Sequence, residues 1–198
     1  MDLSLEPFDP TRHDQRKVAD LVYSSDEDFN ALVYGDPPGA VEIITACMGM
    51  DDNYYTPSRV RCAVSSDQLV GIIIDFPVSE KDALDTASGK DFSRAMGMWS
   101  FLKRMPLLMR MGRITGGEMD EDGTYIHTLC VDASHRNAGI GSFMLKQRAE
   151  EHPRMYVHVN IENLRARRFY EKNGFRVQSE HRAILRRKEM GTVLMRRG

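Results

Sequence analysis

Residues 131–142 carry the pattern with the clearest chemical meaning in this sequence. A β-rich run ends at Val131, a short basic turn follows, and Gly139 and Gly141 stand where a stretch with helical spacing begins. Glycine lets the backbone approach a ligand closely. The free N–H groups of a helix's first turn, together with the helix dipole, attract an anion. The pattern therefore predicts a phosphate-binding turn.

Two common phosphate motifs do not match this turn. A P-loop ends in Gly-Lys-Ser/Thr, and that ending does not occur here. Met144 occupies the position where the dinucleotide-binding fingerprint has its third glycine. NAD and ATP are therefore poor candidates for the ligand.

A second block, NLRARRFYEKNGF, follows at residues 163–175. It resembles the NxxAxxFYxxxGF block of the GNAT (GCN5-related) N-acetyltransferases. The turn matches that family's Arg/Gln-x-x-Gly-x-Gly/Ala signature for acetyl-CoA through Arg136, Gly139 and Gly141. Both motifs occur in the family's order, and the resemblance is specific from Thr124 to Phe175.

The resemblance implies a fold and a co-substrate. We expect a mixed α/β fold with a mostly antiparallel sheet, helices on both faces, and two parallel central strands that splay apart. Acetyl-CoA would enter the cleft between them, and no metal is expected. The expected cofactor-binding residues are Leu129, Val131, Arg136, Asn137, Ala138, Gly139, Ile140, Gly141, Ser142 and Asn163.

Within this set the resemblance implies different roles. Backbone groups around Leu129 and Val131 would bond the pantetheine arm, and the turn would hold the pyrophosphate. Asn163 is either a pantetheine contact or the N-cap of its helix, and the two roles are compatible.

Acyl transfer from a thioester to an amine also needs a proton donor for the departing thiolate. Tyr170 occupies the Phe-Tyr position of the family's second block. A phenol with a pKa of about 10 is protonated at neutral pH. Tyr170 is therefore predicted to be the acid, and the alternative is a purely structural tyrosine.

The general base is less defined. Many GNAT members carry a glutamate where this chain has Tyr125. His127 lies two residues further on, so strand alternation places both side chains on one face. His127 is the candidate base, acting directly or through water, and the alternative is a structural or substrate-contacting histidine. Cys130 is expected to be a packing residue, because the family transfers the acyl group directly.

Hydrophobic periodicity predicts the strands and helices that must position these residues. Strands are predicted at 3–8, 59–65, 69–76, 124–131, 155–159, 175–183 and 192–196. Helices are predicted at 12–23, 38–50, 139–150 and 163–172. The strands at 124–131 and 155–159 should be parallel neighbours joined by a right-handed crossover. Gly71, inside a strand, suggests a close backbone approach.

The segment from about 79 to 123 differs in composition and is predicted to be a helical, methionine-rich insertion, interrupted by Pro106. It either lines the acceptor site, packs as ordinary helices or forms a subunit contact. The acidic residues before the following strand either attract a cationic amine or form a solvated loop. They are Glu118, Asp120, Glu121 and Asp122.

Length and composition exclude several classes of protein for this chain. At 198 residues, a single domain over 1–198 is expected, and a net charge of −2 predicts neither nucleic-acid nor anionic-membrane binding. No apolar run approaches the roughly 20 residues of a membrane span. Three widely spaced cysteines indicate reduced, buried thiols, and the cytoplasm is the expected location. The basic residues at 182–188 and 196–197 are expected to be solvated.

The predicted function is therefore direct transfer of the acetyl group from acetyl-CoA to a primary amine of a small-molecule or protein acceptor. A homodimer is compatible with the sequence, although no pattern specifies one. The alternative is a non-catalytic sensor of acyl-CoA. An intact Tyr170 favours the enzyme.

Overall fold

The computed structural model describes residues 2–50, 52–185 and 188–198. Across these residues, seven strands form one sheet in the order β1-β2-β3-β4-β5-β7-β6. The strands are β1 Leu3–Pro7, β2 Val60–Ser65, β3 Gln68–Pro77, β4 Thr124–Val131, β5 Met155–Asn160, β6 Arg176–Leu185 and β7 Lys188–Arg197. The α-helices are α1 Gln15–Ser25, α2 Glu27–Tyr34, α3 Gly39–Met48, α4 Lys81–Met96, α5 Met98–Met111, α6 Ile140–Glu151 and α7 Leu164–Lys172.

Helices cover both faces of the sheet, and β3 shows how the faces divide. Ile72 and Ile74 belong to the core formed with α1 and α3, whereas Ile73 belongs to the core formed with α6 and α7. This alternation is the two-residue period of a strand buried on both sides. The predicted mixed α/β class is confirmed, because β4 and β5 are parallel and the other neighbouring strands are antiparallel.

The predicted strands at 59–65 and 69–76 form an antiparallel hairpin, β2–β3. Ser66 and Asp67, the two residues of its turn, have φ values of 49° and 60°. Positive φ at both positions matches the twist of the two strands. Gly71 lies at the predicted close approach, since a Cβ atom there would stand 2.9 Å from the carbonyl oxygen of Cys130.

The parallel strands β4 and β5 pair over only three residues each. Pairing ends at Ile126 and Val157, and beyond it the strands separate as predicted. On its other side, β4 has a bulge: Thr128 pairs with Ile74 and Ile126 pairs with Asp75, so that His127 is the extra residue. The split and the bulge therefore coincide in the middle of β4.

Three elements differ from the sequence prediction. Helix α2 was not predicted; it begins at a short polar segment whose Asp26 caps it by accepting a hydrogen bond from the Phe29 N–H at 3.1 Å. The predicted interruption at Pro106 was wrong, because α5 continues through it and proline removes only one of the helix's N–H donors. Strand β7 begins before residue 192.

Helices α4 and α5 lie between β3 and β4, which are antiparallel neighbours that a short turn is able to join. Below, α4 and α5 together are called the insertion helices. Arg186 and Arg187, part of the predicted basic run, lie outside the described residues. Within the described ranges, no helix is long and apolar enough to cross a membrane.

Candidate active site

A cleft of about 700 Å³ lies where β4 ends and α6 begins, and α7 forms its other wall. It contains nine of the ten residues predicted to bind the cofactor. These are Leu129, Val131, Arg136, Asn137, Gly139, Ile140, Gly141, Ser142 and Asn163. Ala138 belongs to the same turn and is exposed, but does not line the cleft.

The turn has the backbone geometry of an anion site. Asn137 and Gly139 have φ values of 67° and 81°, and Gly139 is the N-cap of α6. A Cβ atom at Gly139 would meet no atom within 4 Å, so glycine is favoured there by the left-handed backbone and not by lack of space. The first three N–H groups of α6 have no partner within the helix and are available to an anion.

Gly141 lies where α6 meets α7. A Cβ atom at this position would lie 3.0 Å from the ring of Phe169, which is on α7. The absence of a side chain therefore lets α6 pack closely against α7. Gly141 also lines the cleft, so its predicted part in ligand approach stays a prediction beside this packing role.

The charged side chains around the cleft are basic. Besides Arg136, three residues of α7 contribute: Arg165, Arg168 and Lys172. No aspartate or glutamate is among the described residues that line it. The three cations of α7 were not predicted as site residues, although spacings of three and four place them on one face of the helix. This field favours phosphate groups.

The cleft continues along the free edge of β4. Because β5 pairs with β4 only as far as Ile126, residues further along expose backbone groups to the gap. Of these, Val131 already accepts a hydrogen bond from Nε of Arg136 at 3.2 Å. Asn163 caps α7 by accepting from the Ala166 N–H at 2.9 Å, and it also lines the cleft. Both roles expected for Asn163 are therefore geometrically compatible.

A second cavity, of about 480 Å³, is called here the insertion cavity, because residues of both insertion helices line it. Five residues of the central strands β4 and β5 line it: Tyr125, His127, Thr128, His158 and Asn160. Ser25, at the end of α1, lines both the cleft and the insertion cavity. The two spaces therefore come together beside the split between β4 and β5.

The acidic residues at 118–122 do not line the insertion cavity. Asp122 pairs with Arg154 at 2.5 Å, and Asp120 pairs with Arg154 and Arg196 at 3.4 and 3.3 Å. Asp120 also accepts a hydrogen bond from the Tyr156 hydroxyl. These contacts give the segment a surface role away from the cavity.

His127 projects into the insertion cavity from the bulge of β4. Its ring stacks on that of Tyr54 with centroids 4.2 Å apart, and Nδ1 lies 2.9 Å from the hydroxyl oxygen of Thr128. Burial lowers the pKa of His127 to about 4, so the ring is neutral at pH 7. Nε2 forms no hydrogen bond with any described residue. A neutral imidazole with an open nitrogen is able to accept a proton.

Tyr170 lies on α7 with its ring edge-on to Phe169 and Phe175, at centroid distances of 5.1 and 5.2 Å. It is 6% exposed and lines neither cavity. Its hydroxyl forms no hydrogen bond with another described residue, and its oxygen is not among the fully buried unpaired atoms of the described chain. Burial raises the pKa of Tyr170 well above its usual range, and the nearby Cys130 thiol acts in the same direction. The phenol is therefore a protonated donor without an acceptor.

The three cysteines, Cys47, Cys62 and Cys130, are free and buried, as expected. Burial raises the pKa of the Cys130 thiol, and the Arg136 guanidinium acts against this shift. A buried thiol is a weak nucleophile. This agrees with a packing role for Cys130.

Comparison with solved structures shows the same fold in other proteins. An N-acetyltransferase from Staphylococcus aureus Mu50 has a TM-score of 0.69 at 18% identity, over 96% of this chain and 99% of the other. A GNAT family acetyltransferase from Elizabethkingia anophelis with acetyl-CoA bound has a TM-score of 0.53 at 13% identity, over 99% and 97%. This fold therefore accommodates acetyl-CoA.

A third similar structure is a histone acetyltransferase and related acetyltransferase from Corynebacterium glutamicum ATCC 13032. Its TM-score is 0.60 at 15% identity, over 100% of this chain and 96% of the other. No curated protein matches the sequence at a significant level. Residues 57–175, more than half of the chain, match the Acetyltransferase (GNAT) family. With its sheet, its split strands and this match, the chain belongs to the GNAT family of acyltransferases.

Proposed function

We propose that this chain transfers the acetyl group of acetyl-CoA directly to a primary amine that enters through the insertion cavity. One observation carries the proposal: a basic cleft and a separate, mostly apolar cavity come together at Ser25, beside the split between β4 and β5. A two-substrate reaction without a covalent enzyme intermediate needs such an arrangement, because both reactants must be held together.

In this proposal the cleft holds the co-substrate. The N–H groups at the start of α6 and the Arg136 side chain bind the pyrophosphate, and the cations of α7 add to the attraction. Backbone groups of Leu129 and Val131 hydrogen-bond the pantetheine arm along the free edge of β4. Its thioester then lies near the bulge at His127.

The chemical step uses the two candidate catalytic residues. The amine nitrogen attacks the thioester carbonyl carbon, and Nε2 of His127 accepts the proton that the nitrogen loses, directly or through water. The carbonyl oxygen gains negative charge, which unpaired N–H groups of β4 stabilise. When the carbon–sulfur bond breaks, the Tyr170 hydroxyl donates its proton to the leaving thiolate. The products are an amide and CoA.

The reaction is proposed to take place in the cytoplasm. The three free, buried cysteines fit a reducing compartment, in which thiols stay unpaired.

Calorimetric titration of the purified protein with acetyl-CoA is the first test, with NADH and ATP as controls at the same ionic strength. We expect micromolar binding of acetyl-CoA alone. A screen of amines by release of the free thiol then measures turnover. Absence of acetyl-CoA binding contradicts the proposal, and binding without turnover of any amine favours the acyl-CoA sensor.

A further inference from the structure

The insertion cavity is lined mostly by apolar and aromatic side chains, with few charged ones. We infer that it binds a small primary amine with an apolar, ring-sized body, and that the carboxylate of Asp26 holds the ammonium group. This inference rests on the proposed function and narrows it from any amine to one chemical class. Three observations lead to it: the apolar wall, the pairing of the other charges in the cavity, and the position of Asp26.

The wall is apolar and aromatic. Helix α5 contributes Phe101, Met105 and Leu108, and the opposite side includes Phe29, Tyr54 and Phe92. A volume of about 480 Å³ is within the range of small-molecule sites, about 300–1,000 Å³. Contact between this wall and the apolar surface of a ligand favours binding, whereas removing water from a second charge on the ligand disfavours it. A ring-bearing monoamine therefore fits better than a polyamine.

Asp85 lines the same cavity, but its charge is already compensated. Nζ of Lys81 lies 2.9 Å from one oxygen of Asp85, and the hydroxyl of Tyr54 donates a hydrogen bond to the other. The same ammonium group of Lys81 is 5.8 Å from the centroid of the Tyr125 ring. These contacts leave Asp85 with little attraction for an incoming cation.

Asp26 is the carboxylate that lacks such a partner. It forms no ion pair with a described lysine, arginine or histidine, and the charges that act on it are those of Asp28 and Glu162, both negative. Its polar contacts are the Phe29 N–H at 3.1 Å and the side chain of Asn160. A carboxylate in a partly buried, negative environment gains from a bound cation.

The position of Asp26 also suits the reaction. It follows Ser25, which borders both the cleft and the insertion cavity. An ammonium group at Asp26 is therefore at the end of the insertion cavity that meets the cleft, and the apolar body extends toward α5. The bound ammonium group loses one proton to water before it attacks as the neutral amine. His127, which lines the same cavity, accepts the second proton that the nitrogen loses after attack.

Binding is measured without turnover by calorimetry on the protein saturated with CoA, which has no acetyl group to transfer. The probes are 2-phenylethylamine, its alcohol analogue 2-phenylethanol, spermidine, and a short peptide with a free N-terminus and a lysine. We expect 2-phenylethylamine to bind at least about tenfold tighter than the other three. Equal or tighter binding of spermidine or the peptide, or no binding of 2-phenylethylamine, overturns the inference.

Two pairs of variants locate the bound amine. Asp26→Asn keeps a good helix cap but removes the charge, and we expect it to weaken 2-phenylethylamine binding on the order of tenfold. Asp20→Asn removes the same charge from an exposed residue of α1 that lies outside the cavity and is not among the charges acting on Asp26, so it is the matched control. Met105→Gln places a polar group in the wall, whereas Leu102→Gln changes α5 at a residue that does not line it.

We expect both Asp26→Asn and Met105→Gln to lower amine affinity, with acetyl-CoA affinity unchanged. Equal effects of a variant and its control contradict the assignment.

Failure of this inference is distinguishable from failure of the proposed acetyl transfer. Acetylation of spermidine or the peptide but not of 2-phenylethylamine leaves the proposed function intact and removes this inference. Binding of 2-phenylethylamine without any acetyl-CoA binding removes the proposed function instead.

Discussion

The hydroxyl of Tyr125, on β4, donates a hydrogen bond at 3.0 Å to Nδ1 of His158, the first residue of β5 beyond the part that pairs with β4. Nε2 of the same ring lies 2.9 Å from the carbonyl oxygen of Gly116, which accepts only. In the neutral ring Nε2 therefore carries the hydrogen and Nδ1 accepts. By the resemblance to the family, Tyr125 stands where many GNAT members have a glutamate, and this hydrogen bond commits its hydroxyl to His158. In the proposed reaction, another group must therefore accept the proton.

The first prediction concerns stability at mildly acidic pH. Burial lowers the pKa of both His127 and His158 to about 4, against 6.5 in an unfolded chain. Between these values the unfolded chain binds more protons than the folded protein, so the free energy of unfolding falls as pH falls from 6.5 toward 4. Each histidine contributes up to about 3 kcal/mol to this loss. Urea denaturation at pH 5 and pH 7 measures it.

The variant His158→Gln serves as the control for this prediction. Glutamine does not titrate, so we expect a smaller difference in unfolding free energy between pH 5 and pH 7 than in the native sequence. An unchanged difference would show that His158 is not buried in its neutral form.

The second prediction separates charge from backbone strain at Gly139. Both Gly139→Glu and Gly139→Gln place a side chain on a backbone with φ of 81°, which costs about 1 kcal/mol. Only glutamate adds negative charge beside the proposed phosphate position. We expect acetyl-CoA to bind Gly139→Glu at least about tenfold more weakly than Gly139→Gln.

Calorimetry at low and high salt measures this difference. It should shrink at high ionic strength, because salt screens the repulsion between two anionic groups. Equal affinities of the two variants at low salt would mean that no phosphate group binds near residue 139.

A site residue can be predicted from the sequence when the residues it works with are close to it along the chain. It cannot be predicted when they become its neighbours only in the folded structure. The turn at the start of α6 was predictable, because Arg136, Gly139 and Gly141 lie within six residues of one another and form a recognisable local pattern. Gly141 shows the limit of such marks. A glycine required by contact with Phe169, which is 28 residues further on, looks the same in sequence as one required by a ligand.

The insertion cavity was beyond prediction for the same reason. Its lining combines α1, α2, α4 and α5 with the central strands, and residue periodicity does not specify which side of a helix faces which strand. In the sequence, Asp26 is one of several polar residues between the predicted helices at 12–23 and 38–50, and nothing distinguishes it from the others. His158 gave no signal, because its partners, Tyr125 and Gly116, become neighbours only when the sheet forms.

The third prediction concerns a buried ion pair away from both cavities. Nε of Arg148 lies 2.9 Å from Oδ2 of Asp75, and the two side chains are 9% and 2% exposed. Arg148→Met leaves the carboxylate of Asp75 buried without its cation, and we expect a loss of about 3–5 kcal/mol in unfolding free energy. The double variant Asp75→Val/Arg148→Met should recover part of it. Denaturation of Asp75→Val, Arg148→Met and the double variant measures the coupling between the two residues, and a loss in the double variant equal to the sum of the two single losses contradicts it.

The last prediction concerns Tyr170, whose hydroxyl has no hydrogen-bond partner within the described residues. Tyr170→Phe should therefore change the unfolding free energy by less than about 0.5 kcal/mol. The phenol proton is needed only as the thiolate leaves, so the single-turnover rate with 2-phenylethylamine should fall on the order of a hundredfold at unchanged acetyl-CoA affinity. Tyr23→Phe, another buried tyrosine outside both cavities, should change neither quantity. Equal rates for Tyr170→Phe and the native sequence would remove Tyr170 from the mechanism and leave protonation of the thiolate to water.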